Sequence, residues 1–211
     1  MNLDTTILPV EVPDGVSGDF RIESFSLSEQ ESLSTLMRAS VTNDADIYAP
    51  AGAYKKLIQH SMLDGDVIVM SNTPMEYRSN KAFINQARGR VLINGLGLGM
   101  VLTAILKKVR VSEVWVIEYS EDVIKLVGPT FSKDPRVQII HADALNYIPP
   151  AGTYFDCVWH DIWPFICTAN LKEMDILETR YSDISKWQGS WCRDKCQKMR
   201  DQMLALHRHC D

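Results

Sequence analysis

The chain has 211 residues, of which 45% are hydrophobic and 23% charged, and a formal net charge of −5. That suffices for one domain with a core of useful size and a small N-terminal appendage. The charge balance gives no reason to expect a nucleic-acid partner, because phosphate binding draws on concentrated Lys and Arg. Basic residues near the C-terminus (Arg193, Lys195, Lys198, Arg200, Arg208) are interrupted by Asp194 and Asp201 and read as a solvated helix face. The first fourteen residues hold no basic region followed by an apolar run, and the longest uncharged stretch, 91–106, is too short for a membrane span. A cytoplasmic protein without a membrane partner is expected. Five scattered cysteines suggest reduced thiols. Cys192 and Cys196 are four apart on an expected helix, with His207, His209 and Cys210 downstream, a ligand set zinc would accept. Their spacing fits no standard finger pattern, and no metal site is expected.

In chain order, residues 1–20 mix β-formers with Pro and Gly and suggest an extended segment and a turn. Ser28 and Glu31 form a capping-box pattern, and Leu33, Leu36 and Met37 give one apolar face to a helix reaching about Ala39. After a polar loop, 54–59 and 67–71 flank a turn at Asp64-Gly65 and read as a β-hairpin. Thr73 suits the N-cap of a helix through Ala87, Pro74 its first position, and Glu76 completes a second capping box.

From Gly89 the pattern alternates strands (91–94, 114–118, 137–140, 155–160) with helices (about 99–109, 120–128 and after 164). Short apolar runs separated by helices imply a parallel sheet with right-handed crossovers. The first strand, Val91-Leu92-Ile93-Asn94, runs into Gly95, Gly97 and Gly99 and then a helix-forming segment. Glycine at such a turn allows a close approach of backbone to ligand, and the following helix start offers unpaired N–H groups. The stretch is a candidate nucleotide or nucleoside cradle.

Ligands of such sheets sit outside the carboxyl ends of the strands, where this sequence places Gly95, Glu118, Asp143 and Asp161. Glu118 lies about 20 residues past the glycines, where an acidic residue can accept both ribose hydroxyls. Asp143 could take the exocyclic amine of an adenine, and Asp161 would lie beside the reactive end of a bound nucleoside. His160 points to the opposite face if its strand continues that far, and stays outside the site.

A dinucleotide fingerprint would need a third glycine where Met100 stands. Gly95-Leu96-Gly97-Leu98-Gly99 instead resembles the first motif of class I S-adenosylmethionine (SAM)-dependent methyltransferases, most closely the spermidine-synthase-like branch. Ile93, two before the first glycine, matches the apolar residue common in that branch. The segment 116–124 resembles its ribose-binding strand and helix, and 137–143 followed by Ala144 its adenine-binding motif. Phe155-Asp156, then four residues, then Asp161, keeps a further motif. The likeness covers about residues 67–165.

The departures are informative. Spermidine synthases carry a second acidic residue three positions after the last Asp, where this chain has Pro164, and an Asp in the glycine loop, where it has Leu98. Two groups that would hold a polycation are missing. Asp161-Ile162-Trp163-Pro164 also lacks the order of the adenine-N6 methyltransferase motif, and no Pro-Cys dipeptide of the cytosine-C5 type exists. Cys167 reads as a core thiol.

After Asp161 about fifty residues remain, reading as helices at 171–181 and 190–207. No candidates appear for three further strands, so the N-terminal hairpin would extend the sheet, or a second subunit would cover its edge as a homodimer. The stretch 187–191, with Trp187 and Trp191, reads as an anchor for the last helix or a cap on the pocket.

The expected fold is α/β: a Rossmann-like SAM-dependent methyltransferase fold with a shortened parallel sheet, an N-terminal β-hairpin and helix extension (1–88), a SAM-binding core (89–165) and a helical C-terminal region (166–211). The resemblance implies a methyltransferase whose cofactor S-adenosyl-L-methionine is held by Gly95, Gly97, Gly99, Glu118, Asp143 and Ala144. Asp161 is the catalytic candidate and a small molecule the expected acceptor. The alternatives are an aminopropyltransferase-like enzyme using decarboxylated SAM, or a SAM- or adenosine-binding module without turnover.

Overall fold

The computed structural model describes residues 4–63 and 65–206, and the backbone of His207. Asp64 of the expected turn, Arg208 of the basic cluster, and His209 and Cys210 of the conceivable zinc set lie outside the described residues.

Four strands, β1 (Gly15–Ser17), β2 (Phe20–Leu27), β3 (Gly52–Ser61) and β4 (Gly65–Ser71), form an antiparallel sheet in that order. The expected hairpin is β3–β4. It belongs to this separate sheet and does not extend the parallel one. Strand β2 was not legible because its apolar positions change parity between Ile22 and Phe25, which breaks the period-2 pattern. Helix α1 (Glu29–Thr42) begins with the expected box: Ser28 N–H donates to Glu31 Oε2 at 2.8 Å, and Glu31 N–H to Ser28 Oγ at 3.3 Å.

Helix α2 (Pro74–Gln86) starts at the expected proline, but Thr73 makes no side-chain cap bond. Its hydroxyl lies 3.1 Å from that of Ser71, and Glu76 turns into the protein. The second capping box is therefore corrected.

The parallel sheet contains β5 (Gly89–Asn94), β6 (Val111–Glu118), β7 (Val137–His141), β8 (Cys157–His160) and β9 (Gln188–Ser190), in the order β7-β6-β5-β8-β9. Helices α3 (Met100–Leu106), α4 (Glu121–Phe131), α5 (Asn170–Tyr181) and α6 (Arg193–His207) complete the chain. Strand β9 corrects the expectation of a purely helical C-terminus. Three residues between two tryptophans are too few for periodicity to show, and their pairing partner β8 is nearly thirty residues away. Cys192, expected on the last helix, precedes it in a left-handed conformation (φ 52°).

The sheet is buried on both faces, and alternation along each strand divides the core. Val91, Ile93, Val114, Val116 and Trp159 join α3, α4 and part of the N-terminal sheet in one cluster. Leu92, Ile117, Val158 and Phe155 join Leu171, Met174 and Leu177 of α5 in the other. The chain leaves β5 toward β6 and β7, then returns to β8 on the other side. The switch point therefore falls between the ends of β5 and β8, where Gly95 and Asp161 follow. No helix among the described residues is long and apolar enough to cross a membrane.

Candidate active site

A cavity of about 850 Å³ opens at the carboxyl ends of β5, β6 and β8, within the size range of small-molecule sites. The N-terminal sheet contributes Phe20, Leu57, Val69 and Met70 to its wall.

The glycine turn forms its floor. Gly95 has φ 102°, and a Cβ there would stand 2.0 Å from the carbonyl oxygen of Asp161. At Gly97 (φ 49°) a Cβ would meet Met70 Sδ at 2.2 Å, and the same sulfur accepts the Leu98 N–H at 3.1 Å. Glycine suits 97 because the backbone there is left-handed and the Met70 side chain of the other sheet rests on the loop. Gly99 serves packing: a Cβ there would stand 2.5 Å from the Phe131 ring of α4.

Glu118 ends β6. Its Oε2 accepts the Leu96 N–H and its Oε1 the Ser120 N–H, both at 2.8 Å. Burial raises its pKa, and the N–H groups of Ser120, Leu96, Tyr119 and Gly97 pull it back. Beyond β7, Asp143 Oδ1 accepts the Leu145 N–H at 2.9 Å and its Oδ2 the Asn146 amide at 2.6 Å. This carboxylate thus shapes its own turn while lining the cavity beside the buried Ala144.

Asp161 follows β8, and burial pushes its pKa up to about 7 against the hydrogen bonds of Trp159 and Asn80. Asn80, on α2, accepts the Trp159 indole N–H at 2.8 Å and donates to the Glu76 carbonyl at 3.0 Å. His160, one residue earlier, lies on the other face as expected. It is fully buried, 2.7 Å from the Asn94 amide, and burial lowers its pKa to about 4.

The structure thus gathers Gly95, Gly97, Glu118, Asp143, Ala144 and Asp161 around one cavity. It adds residues that the sequence reading missed. Glu76 lines the cavity from α2, only 8% exposed, and burial followed by the charges of Asp161 and Asp46 raises its pKa to about 8. Met70, Glu173 and Trp191 also line it. A signal for Glu76 existed: Glu76 and Asn80 share a helical face with Phe83 and Ile84, the inward face of α2. The 187–191 stretch packs against α2 and β8. Trp187 stacks on Phe83 (6.1 Å) and Trp159 (6.2 Å), and Trp191 reaches the cavity. Among the described residues no group of His, Cys, Asp and Glu is placed to hold a metal ion.

A doubling-back parallel sheet, a glycine turn after its central strand and acidic residues beyond the next strands define a Rossmann-like α/β fold. No protein-family model matches the chain. Among curated proteins it is similar to polyamine aminopropyltransferase 2 of Ralstonia nicotianae, 28% identical over 164 residues, covering 67% of this chain and 31% of that protein. The chain thus spans about a third of that relative's length. Among solved structures it is similar to the spermidine synthase of Thermotoga maritima (19% identity, 57% of this chain and 48% of that one, TM-score 0.38). Another is the putative methyltransferase yhhF of Escherichia coli (18% identity, 54% and 60%, TM-score 0.40).

Proposed function

We propose that the chain is a SAM-dependent transferase, a methyltransferase acting on a small-molecule acceptor. One observation carries this reading. The cavity is lined by Glu76, Glu118, Asp143 and Asp161, and by no Lys or Arg among the described residues. The acidic lining is unfavourable to the added anionic charge of a dinucleotide and complementary to a sulfonium. The donor set fits the rest of the group. Each Glu118 oxygen already accepts one backbone N–H and keeps a lone pair for a ribose hydroxyl. Asp143 and Ala144, which line the same cavity, would meet the adenine.

SAM supplies, when bound, an electrophilic methyl carbon whose bond to sulfur breaks as the acceptor's lone pair forms the new bond, leaving a neutral thioether. The residues of this chain act by placement. Glu118 and the glycine turn fix the nucleoside, and the N-terminal sheet excludes water. Asp161 orients the acceptor and, when ionised, takes the proton its nucleophilic atom releases.

Calorimetric titration with SAM, S-adenosylhomocysteine, methylthioadenosine and NAD tests this reading, repeated on Glu118→Ala. Micromolar binding of the first two, lost in the variant, is expected. Binding of NAD alone, or of no adenosine compound, would overturn it.

A second reading, aminopropyl transfer from decarboxylated SAM, is favoured by the same lack of a cation, since no side chain there would pair with the α-carboxylate of SAM. Preference for methylthioadenosine in the same titration would select it.

A further inference from the structure

We infer that the end of the parallel sheet opposite the cavity docks on an anionic membrane surface. Arg88, Lys107, Lys108 and Arg110 meet lipid headgroups there, around an inserted Val109. The inference does not depend on what the cavity binds.

The chain has a net charge of −5, yet segments 85–90 and 107–110 hold five cations and no Asp or Glu. Folding brings these segments side by side. Strands β5 and β6 pair from Gly89 and Val111 onward, and the Gly89 N–H donates to the Arg110 carbonyl at 2.7 Å. Of the five cations only Arg90 is ion-paired among the described residues, with Glu113 at 2.6 Å. Asp156, the acidic neighbour on β5's other side, accepts the Arg90 backbone N–H at 3.0 Å. Helix α2 ends against the same loops, and Lys108, Arg110 and Arg88 donate to the carbonyls of Ile84, Asn85 and Gln86. Those bonds complete the helix C-terminus. They leave most N–H groups of each side chain free, and Lys107 is exposed. The positive charge stays available to an outside anion.

Val109 stands in the turn between α3 and β6, flanked by Lys108 and Arg110, and is fully exposed. An aliphatic side chain at a basic turn adds nothing to a phosphate contact. Against a bilayer it is buried, while the cations beside it stay at headgroup level. Tyr154, half-exposed just ahead of β8, lies at the same end of the sheet and has the amphipathic ring favoured at that depth. A valine and a single tyrosine amid cations fit a lipid surface better than a nucleic-acid strand, which calls for successive stacking rings. No described helix is long and apolar enough to cross a membrane, and a peripheral contact needs none. Strand β5 separates this end from the glycine turn by roughly 20 Å. Docking therefore leaves the cavity facing water.

The test is co-sedimentation of the full chain with phosphatidylcholine vesicles, with and without about one-third phosphatidylglycerol, at about 0.05 M and about 0.5 M salt. Binding to the anionic vesicles at low salt is expected, with loss at high salt and none to phosphatidylcholine alone. Lys107→Glu and Val109→Asp alter exposed side chains and should each weaken binding about tenfold or more. Lys172→Glu makes the same charge change on the exposed surface of α5 and should leave binding unchanged. Equal loss in Lys172→Glu and Lys107→Glu, or binding indifferent to Val109→Asp, would overturn the inference. So would failure to bind the anionic vesicles, which decides the matter on the unaltered chain even if a variant misfolds. Binding of a polyuridine strand in their place would assign the cluster to nucleic acid.

Discussion

Gly95 and Asp161 meet backbone to backbone: the Asp161 carbonyl oxygen fills the space a Gly95 Cβ would occupy, 2.0 Å away. The Asp161 N–H, donating to the Asn94 carbonyl at 2.9 Å, locks the two strand ends together. The first glycine of the turn is thus required by the strand carrying the candidate catalytic carboxylate, quite apart from any ligand.

Gly95→Ala should therefore damage fold and site together. The positive φ alone costs about 1–3 kcal/mol for a residue with a side chain, and the backbone collision adds to it. We expect a loss of at least ~2 kcal/mol and no detectable S-adenosylhomocysteine binding, read by denaturant titration and calorimetry. An unchanged unfolding midpoint would contradict the contact.

Glu118→Gln removes a charge and exchanges one acceptor oxygen for a donor facing the turn. One of the N–H groups of Leu96 and Ser120 then loses its acceptor, at a cost of about 1–3 kcal/mol. S-adenosylhomocysteine affinity should fall by about tenfold to a hundredfold, since a carboxylate meets two ribose hydroxyls better than an amide. Equal affinities would remove Glu118 from the site.

Stability should fall as pH rises across the neutral range. The pKa values of Asp161 and Glu76 are raised by folding, to about 7 and about 8. Between their ordinary values and these, the folded chain binds protons that the unfolded chain has released. The contribution is fully present below about pH 4 and is lost as pH climbs toward 8. Thermal midpoints of the ligand-free chain measured from pH 5 to pH 8 should decline, and Asp161→Asn and Glu76→Gln should each flatten the decline. A rate dependent on ionised Asp161 would climb over the same interval, so activity and stability should run in opposite directions.

His160→Ala should weaken the site without touching it. His160 and Asn94 precede Asp161 and Gly95, and their side chains meet at 2.7 Å beneath the sheet. Truncation leaves a buried amide short of a partner and opens a cavity, together about 2–4 kcal/mol. The unaltered histidine stays neutral to about pH 4 when folded, so its contribution is lost as pH drops from about 6.5 toward 4. Acid unfolding followed by circular dichroism should shift to lower pH in His160→Gln, which cannot protonate.

Much of this arrangement was legible in the chain, because β5 to β8 each announce themselves by an apolar run and a terminal polar residue. Glu118, Asp143 and Asp161 stand out as carboxylates at strand ends, a pattern local to each crossover. Capping signals were less decisive. Ser28 caps its helix and Thr73 does not, although both precede a glutamate at the right spacing. The difference lies in what α2 packs against, so that Glu76 is drawn inward with Asn80 and Phe83.

What the sequence determined by itself is the alternation of strand and helix after Gly89, the glycine turn and the acidic strand ends. Each depends on interactions within a few residues. Only the tertiary structure decided the order β7-β6-β5-β8-β9, the pairing of three-residue β9 with distant β8, and the separate N-terminal sheet whose Met70 rests on Gly97. It also decided that Glu76 and Asp161 line one cavity. These are contacts between segments far apart in the chain. They are fixed by which buried surfaces fit one another, which no local pattern of residues encodes.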